Sequence, residues 1–393
     1  MAERRRRVVR SWLWVLGAVI AALLLAFALV VGPWLLTQHP QKGLTAEQAL
    51  KAKNDVRTTL VQALAGLAVA GGAVVTYRTF RQTQVEQDRT YALRQGEQVN
   101  GLYTKAVEQL GHEQAPVRLG ALYSLEQLAQ ANVEHRQTVV NVLCAYLRMP
   151  YSHPEELPAS ATPAQQRDAS QELQVRLTAQ RLLADHLRAP QGISGKDAQG
   201  FPASPDEPFW PGMGLDLSRA ALFDFYLLSA SVVVADFQKT IFSGLAGFNE
   251  TTINGLAWFK GSIFTGAASF SDATFASSAH FNGMTVNGAA FFDGATFTQD
   301  VEFDKATFND EAFFGDVTFG GDARFKEVSF GDMVEFNRAA CTGHAWFEGA
   351  TFARVPSFYK ANFGLSPLSG PPILHSLDDL GRDEGGERGG VTP

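Results

Sequence analysis

Residues 288–308 read GAAFFDGATFTQDVEFDKATF, with phenylalanine at Phe292, Phe297, Phe303 and Phe308. The steps between them are five, six and five residues, and the same rhythm runs outward in both directions. From Phe237 to Phe363 there are 24 such positions, and 21 are Phe; Ile253, Val286 and Cys341 fill the rest. Ala commonly stands two residues earlier, as at Ala273, Ala295 and Ala350. A strand puts residues i and i−2 on one face, so a small and a large side chain point inward together. Gly or Asp often stands two residues later, as at Gly261, Gly283 and Asp316; these types tolerate the backbone angles of a tight corner. Short strands thus alternate with corners, and self-similarity at a fixed period marks stacked repeats. Ahead of Phe237 the step is a plain five, through Leu217, Leu222, Leu227 and Val232.

Asp216-Leu217-Ser218-Arg219, Ala221-Leu222 and Ala235-Asp236-Phe237, with the later Gly-Ala-Thr-Phe units ending at Phe297 and Phe352, resemble the pentapeptide-repeat family in its Phe-centred form. The resemblance implies an all-β, right-handed quadrilateral β-helix over residues 215–365, with a coil of 22 residues in place of the strict 20. Phe237, Phe259, Phe281, Phe303, Phe325 and Phe347 then form one ladder. Phe248, Phe270, Phe292, Phe314, Phe336 and Phe358 form a second. A two-sided coil of 11 residues fits the same period, but it needs longer strands between its turns, and Gly or Asp follows both kinds of step. Four sides are expected.

The N-terminal part reads differently. Five arginines lie within a basic cytoplasmic tail, residues 1–10, followed by 26 uncharged residues, Ser11–Leu36, flanked by Trp12, Trp14 and Trp34. That is long enough to cross a bilayer and longer than the core of a signal peptide. Residues 58–77 form a second uncharged run, and 37–57 read as an extracytoplasmic loop between two transmembrane helices. The arginine bias places both termini and the β-helix in the cytoplasm, at the cell (plasma) membrane. Gly66/Ala70 and Ala68/Gly72 have the spacing of close helix packing, which allows a homo-oligomer through the transmembrane helices. Residues 78–188 are helical in period, with helices at Val99–Leu110, Val117–Ala129, Val139–Leu147 and about 171–187. The opening Val-Arg-Leu-x-Ala recurs at Val117 and Val175, leaving a HEAT-like repeat or a bundle open. Residues 189–214 are a Pro- and Gly-rich linker whose Phe209-Trp210 is expected to cap the solenoid. Residues 366–393 read as a disordered tail.

No catalytic, cofactor or metal constellation emerges: the eight histidines are scattered and no glycine loop opens a helix. A net charge of −7 gives no footprint for nucleic acid. The expectation is a non-enzymatic, membrane-tethered scaffold presenting the solenoid to an unidentified cytoplasmic protein. Outward aromatics Trp258, Phe291, Phe313 and Trp346 are the candidate partner surface. Glu302, Asp304, Asp310, Asp316, Asp322 and Glu335 form a candidate acidic face. That face carries an alternative, since the resemblance also includes DNA-mimicking proteins that bind topoisomerases. Membrane-anchored bacterial members with this order of parts are a further implication of the resemblance.

Overall fold

The computed structural model describes residues 27, 31, 45–190, 192–193, 197–198 and 200–365. The chain forms two compact units, residues 1–97 and 98–393. The first expected span, Ser11–Leu36, the disordered-tail expectation for 366–393, and the start of the expected loop lie outside the described residues, save for Phe27 and Val31.

The remainder of that loop is corrected. Helix α1 runs from Ala46 to Leu110, and Thr45 N–H reaches the Gln48 side chain at 3.1 Å at its start. Ala, Glu, Gln, Leu and Lys dominate residues 46–53, and all are strong helix formers. The uncharged run 58–77 forms part of this helix and exposes Val69, Val74 and Val75. Among the described residues no helix is long and apolar enough to cross a membrane.

In the second unit, α2 (Ala115–Ala131), α3 (Arg136–Leu147) and α4 (Pro163–Leu187) pack on one another. Helix α4 starts earlier than its apolar period suggests. Thr162 and Gln165 form a reciprocal capping box, and Pro163 occupies the first turn, where its missing N–H costs nothing. The repeated Val-Arg opening has a shared destination. Arg118 and Arg176 both pair with Glu172, at 2.9 and 3.0 Å, and Arg176 also donates to Leu147 O and Met149 O at the end of α3. The three helices form a bundle around that cluster.

From Gly214 to Leu365 the chain is a β-solenoid of right-handed type with about seven turns. Parallel two-residue strands stack in four columns, with partners 22 residues apart: Ala257 with Ala279, Ile263 with Thr285, Ala268 with Ala290, and Thr274 with Thr296. We number the columns in that order. The two-sided coil is thereby excluded. The first coil is tighter, pairing Gly214 with Val234 and Ala221 with Ile241, as its five-residue spacing requires.

Both ladders form. Phe259 and Phe281 stack at 4.9 Å and Phe270 and Phe292 at 4.8 Å, the spacing of neighbouring strands. The first-column and third-column ladders meet edge-to-face inside the tube, as for Phe281 and Phe292 at 5.7 Å and 90°, the arrangement the ring quadrupole favours.

The two kinds of corner differ. Left-handed backbone recurs every 11 residues, after the first and third ladders, at Gly261, Asp272, Gly283, Gly294, Lys305 and Asp316 among others. After the second and fourth columns, Gly266, Gly288 and Gly320 serve close approach instead. A Cβ at Gly266 would lie 2.3 Å from Gly244 O.

The expected aromatic cap is corrected. Trp210 stacks on His186 at 3.9 Å, and its indole N–H donates to Gln130 at 2.8 Å; both partners belong to helices. A buried indole needs an acceptor, and the helices supply it. The solenoid is closed by Gln137 of α3, Gln180 of α4, and the ring of Phe225, which sits 6.0 Å from Phe237 and Phe242. Phe225 follows a bulge at Asp224. Residues 189–214 therefore join parts of one compact unit.

Candidate interaction surface

A strand residue just before each inward ring faces outward, so every column presents one residue per coil on its own face. On the first face these are Asp236, Trp258, His280, Glu302, Arg324 and Trp346. Glu302 accepts from His280 at 3.2 Å, Asn282 at 3.0 Å and Arg324 at 2.9 Å. Arg324 also pairs with Asp304. Burial alone would raise the Glu302 carboxyl, but the Asn282 and His280 hydrogen bonds and the Arg324 guanidinium outweigh it and hold it below its ordinary range. Trp258 and Trp346 are half-buried at either side of this polar row, and Lys326 lies over the Trp346 ring at 5.4 Å.

The third face carries an aromatic pair. Phe291 and Phe313 stack on adjacent coils at 5.3 Å and 7°. Tyr226, Leu245, Val355 and Tyr359 lie on the same side, two of them the most exposed large apolar residues of the solenoid, Val355 at 69% and Tyr359 at 61%. The second and fourth faces carry threonine rows, Thr285 and Thr307 on one and Thr274, Thr296 and Thr318 on the other. Among the described residues, no group of three or more His, Cys, Asp or Glu is placed to hold a metal ion.

Three of the expected acidic residues share the first face and three do not. Glu302 lies on the first face with Asp304 two residues after it and Asp322 two residues before Arg324, whereas Glu335 lies on the third and Asp310 and Asp316 sit at corners beside that one. Asp316 is held by Arg338, whose hydrogen bond lowers its carboxyl, and Asp322 lies 3.4 Å from His344. Cations are thus interleaved with the carboxylates.

A family model described as pentapeptide repeats, in nine copies, matches residues 237–285 and 281–329. Residues 237–329 are thus similar to pentapeptide repeats. No curated protein and no solved structure matches the chain. The pentapeptide-repeat solenoid is a scaffold-like repeat fold with four flat sides. The four expected aromatics divide between two of those sides, Trp258 and Trp346 on the first and Phe291 and Phe313 on the third. Leu245, Val355 and Tyr359 join the latter pair from positions two residues before or after the outward one. Reading the residues at i−2 and i+2 of each outward site, coil by coil, would have found them.

Proposed function

We propose that this chain is a non-enzymatic interaction scaffold, held at a membrane by its N-terminal apolar segments, whose pentapeptide-repeat solenoid offers its third face to a cytoplasmic protein. One observation carries the partner reading. The solenoid's three most exposed large apolar side chains, Val355, Tyr359 and Leu245, fall on the side that carries the Phe291–Phe313 stack, two coils beyond it at either end. Large apolar side chains left open to water on one side mark a contact site, and rigid aromatics supply most of the energy in such contacts. Membrane attachment draws support from the uncharged run Ser11–Leu36 behind its arginines.

The test is in-cell crosslinking and membrane fractionation of the tagged full chain. Recovery in the membrane fraction is expected, with discrete partner adducts that Phe291→Ser/Phe313→Ser removes and Trp258→Ser/Trp346→Ser retains. Adducts equally retained by both variants would contradict the assignment of the third face. The topoisomerase reading gains little support from carboxylates spread over several edges and interleaved with cations.

A further inference from the structure

Resting on that reading of the third face, we infer that its partner is a basic amphipathic protein segment, an apolar stripe flanked by Arg or Lys, lying along the solenoid axis over Phe291 and Phe313. The outward residues of three successive coils are Ala289, Phe291 and Asp293; Glu311, Phe313 and Gly315; and Met333, Glu335 and Asn337. The stacked rings therefore have a carboxylate on either side, Glu311 on one and Asp293 on the other, and Glu335 next in their own column. Asp310 adds to the first edge and Asp272 to the second. Asp316 and Asp332 are already paired, with Arg338 and Arg354. Asp272, Asp293, Asp310, Glu311 and Glu335 form no ion pair among the described residues.

Burial raises the Asp293 carboxyl against the lowering hydrogen bond from Gly315 N–H, and neighbouring Asp316 and Asp272 add to the rise. Arg338, which pairs with Asp316, also feels Asp293, but Asp310, Glu311 and Glu335 pair with no cation among the described residues, so net negative charge borders the half-buried aromatic pair. A guanidinium answers both features, binding carboxylates through its planar fork and stacking on ring faces. The same charge disfavours the other occupants of such a strip. Two copies packed through one shared face would bring these carboxylates together, and an anionic lipid surface would be repelled.

The charge also gives the segment a direction. Arg354 and Lys360 lie at the last coil, where Lys360 lies 5.1 Å over the Tyr359 ring, whereas Arg338, in the coil of Glu335, is taken up by Asp316. The basic end belongs over the coils of Asp272 to Glu335, and the uncharged or acidic end over Tyr359.

The test titrates labelled helical peptides, about twenty residues long so as to span the face, with the detergent-solubilised full chain, read by fluorescence anisotropy. One peptide has Leu at i, i+4 and i+7 with Arg on both flanks. A second replaces each Arg by Glu, and a third replaces each Leu by Ser. The first is expected to bind about tenfold tighter than either of the others. Phe291→Ser/Phe313→Ser should weaken it about tenfold, and Asp293→Asn/Glu311→Gln about threefold with a shallower salt dependence. Trp258→Ser/Trp346→Ser should leave it unchanged, and circular dichroism melts confirm that each variant folds.

Equal binding of the Arg and Glu peptides, or full affinity in the carboxylate variant, overturns the inference. The interaction-face reading then stands if Phe291→Ser/Phe313→Ser still removes the cellular adducts, and falls with the inference if it does not. A concentration-dependent dimer in sedimentation, lost in the Phe variant, would assign the face to a second copy and likewise overturn it.

Discussion

The side-chain amide of Gln180 donates to Phe223 O at 2.7 Å and accepts from Phe223 N–H at 3.1 Å, standing in for a strand that the solenoid's first coil lacks. Gln137 does the same for Gly214, at 2.9 and 2.8 Å. The edge of a parallel sheet exposes backbone donors and acceptors that are costly to bury unpaired. Two helices of the bundle meet that need with one amide each.

Gln180→Ala should therefore destabilise the second unit, because Phe223 is only 8% exposed and each orphaned group costs about 1–3 kcal/mol. Gln137→Ala should cost less, since Gln137 is only half-buried and water can replace it. Urea midpoints of the full chain, following the aromatic near-ultraviolet signal, would rank the two.

Adjacent phenylalanines should behave oppositely. Phe292 is fully buried between Phe270 and Phe314, each 4.8 Å away, so Phe292→Ala should lose about 3–5 kcal/mol. Phe291 points outward and is half-buried, and Phe291→Ala should cost under about 1 kcal/mol. Thermal melts of both variants decide this.

Two glycines should tolerate alanine unequally. At Gly283, with φ of +63° and open space around it, alanine costs about 1 kcal/mol of backbone strain. At Gly266 the added carbon would meet Gly244 O of the preceding coil at 2.3 Å, so the coils must part. Gly266→Ala should lower the melting temperature more than Gly283→Ala.

Two carboxylates should show opposite dependence on pH. The Glu302 carboxyl is lowered, so its stabilisation is present above the ordinary glutamate range and disappears as pH falls through its folded value. The gap between wild type and Glu302→Gln should close on acidification. The Asp293 carboxyl is raised, mainly by burial, so its contribution is full at low pH and is lost as pH rises. Asp293→Asn keeps an acceptor for Gly315 N–H and should stabilise at neutral pH but not in acid. Stability curves from pH 3 to 8 would show both signs.

The thiols should be inert in the folded chain. Burial pushes Cys144 up to about 12, and it raises Cys341 as well, where the side chain occupies a ladder position between Phe319 and Phe363. Only thiolate reacts quickly. A thiol reagent at pH 8 should label neither residue until denaturant is added, whereupon both react.

The ladders were legible because every coil must fill one tube, so the inward ring recurs at each turn and leaves a period. The shorter first coil was legible for the same reason, through Leu217, Leu222 and Leu227. Capping was not, since a glutamine facing a strand edge looks like any helix-surface glutamine. Phe225 enters the core through a bulge and breaks the rhythm that would have announced it. Left-handed corners were partly hidden, because Lys239, Glu250 and Arg338 adopt positive φ without glycine to mark them. Some acidic residues were misplaced because neighbours in sequence turn onto different sides, whereas the third face is assembled from residues 22 apart.

The most direct test of the third face is a photo-crosslinking amino acid placed singly at Phe313, Arg324 and Thr296, which represent the third, first and fourth faces, in the full chain in cells. Discrete adducts with one protein from Phe313, and none from the other two, are the expected outcome. The same adduct from all three positions, or from Arg324 alone, would contradict it.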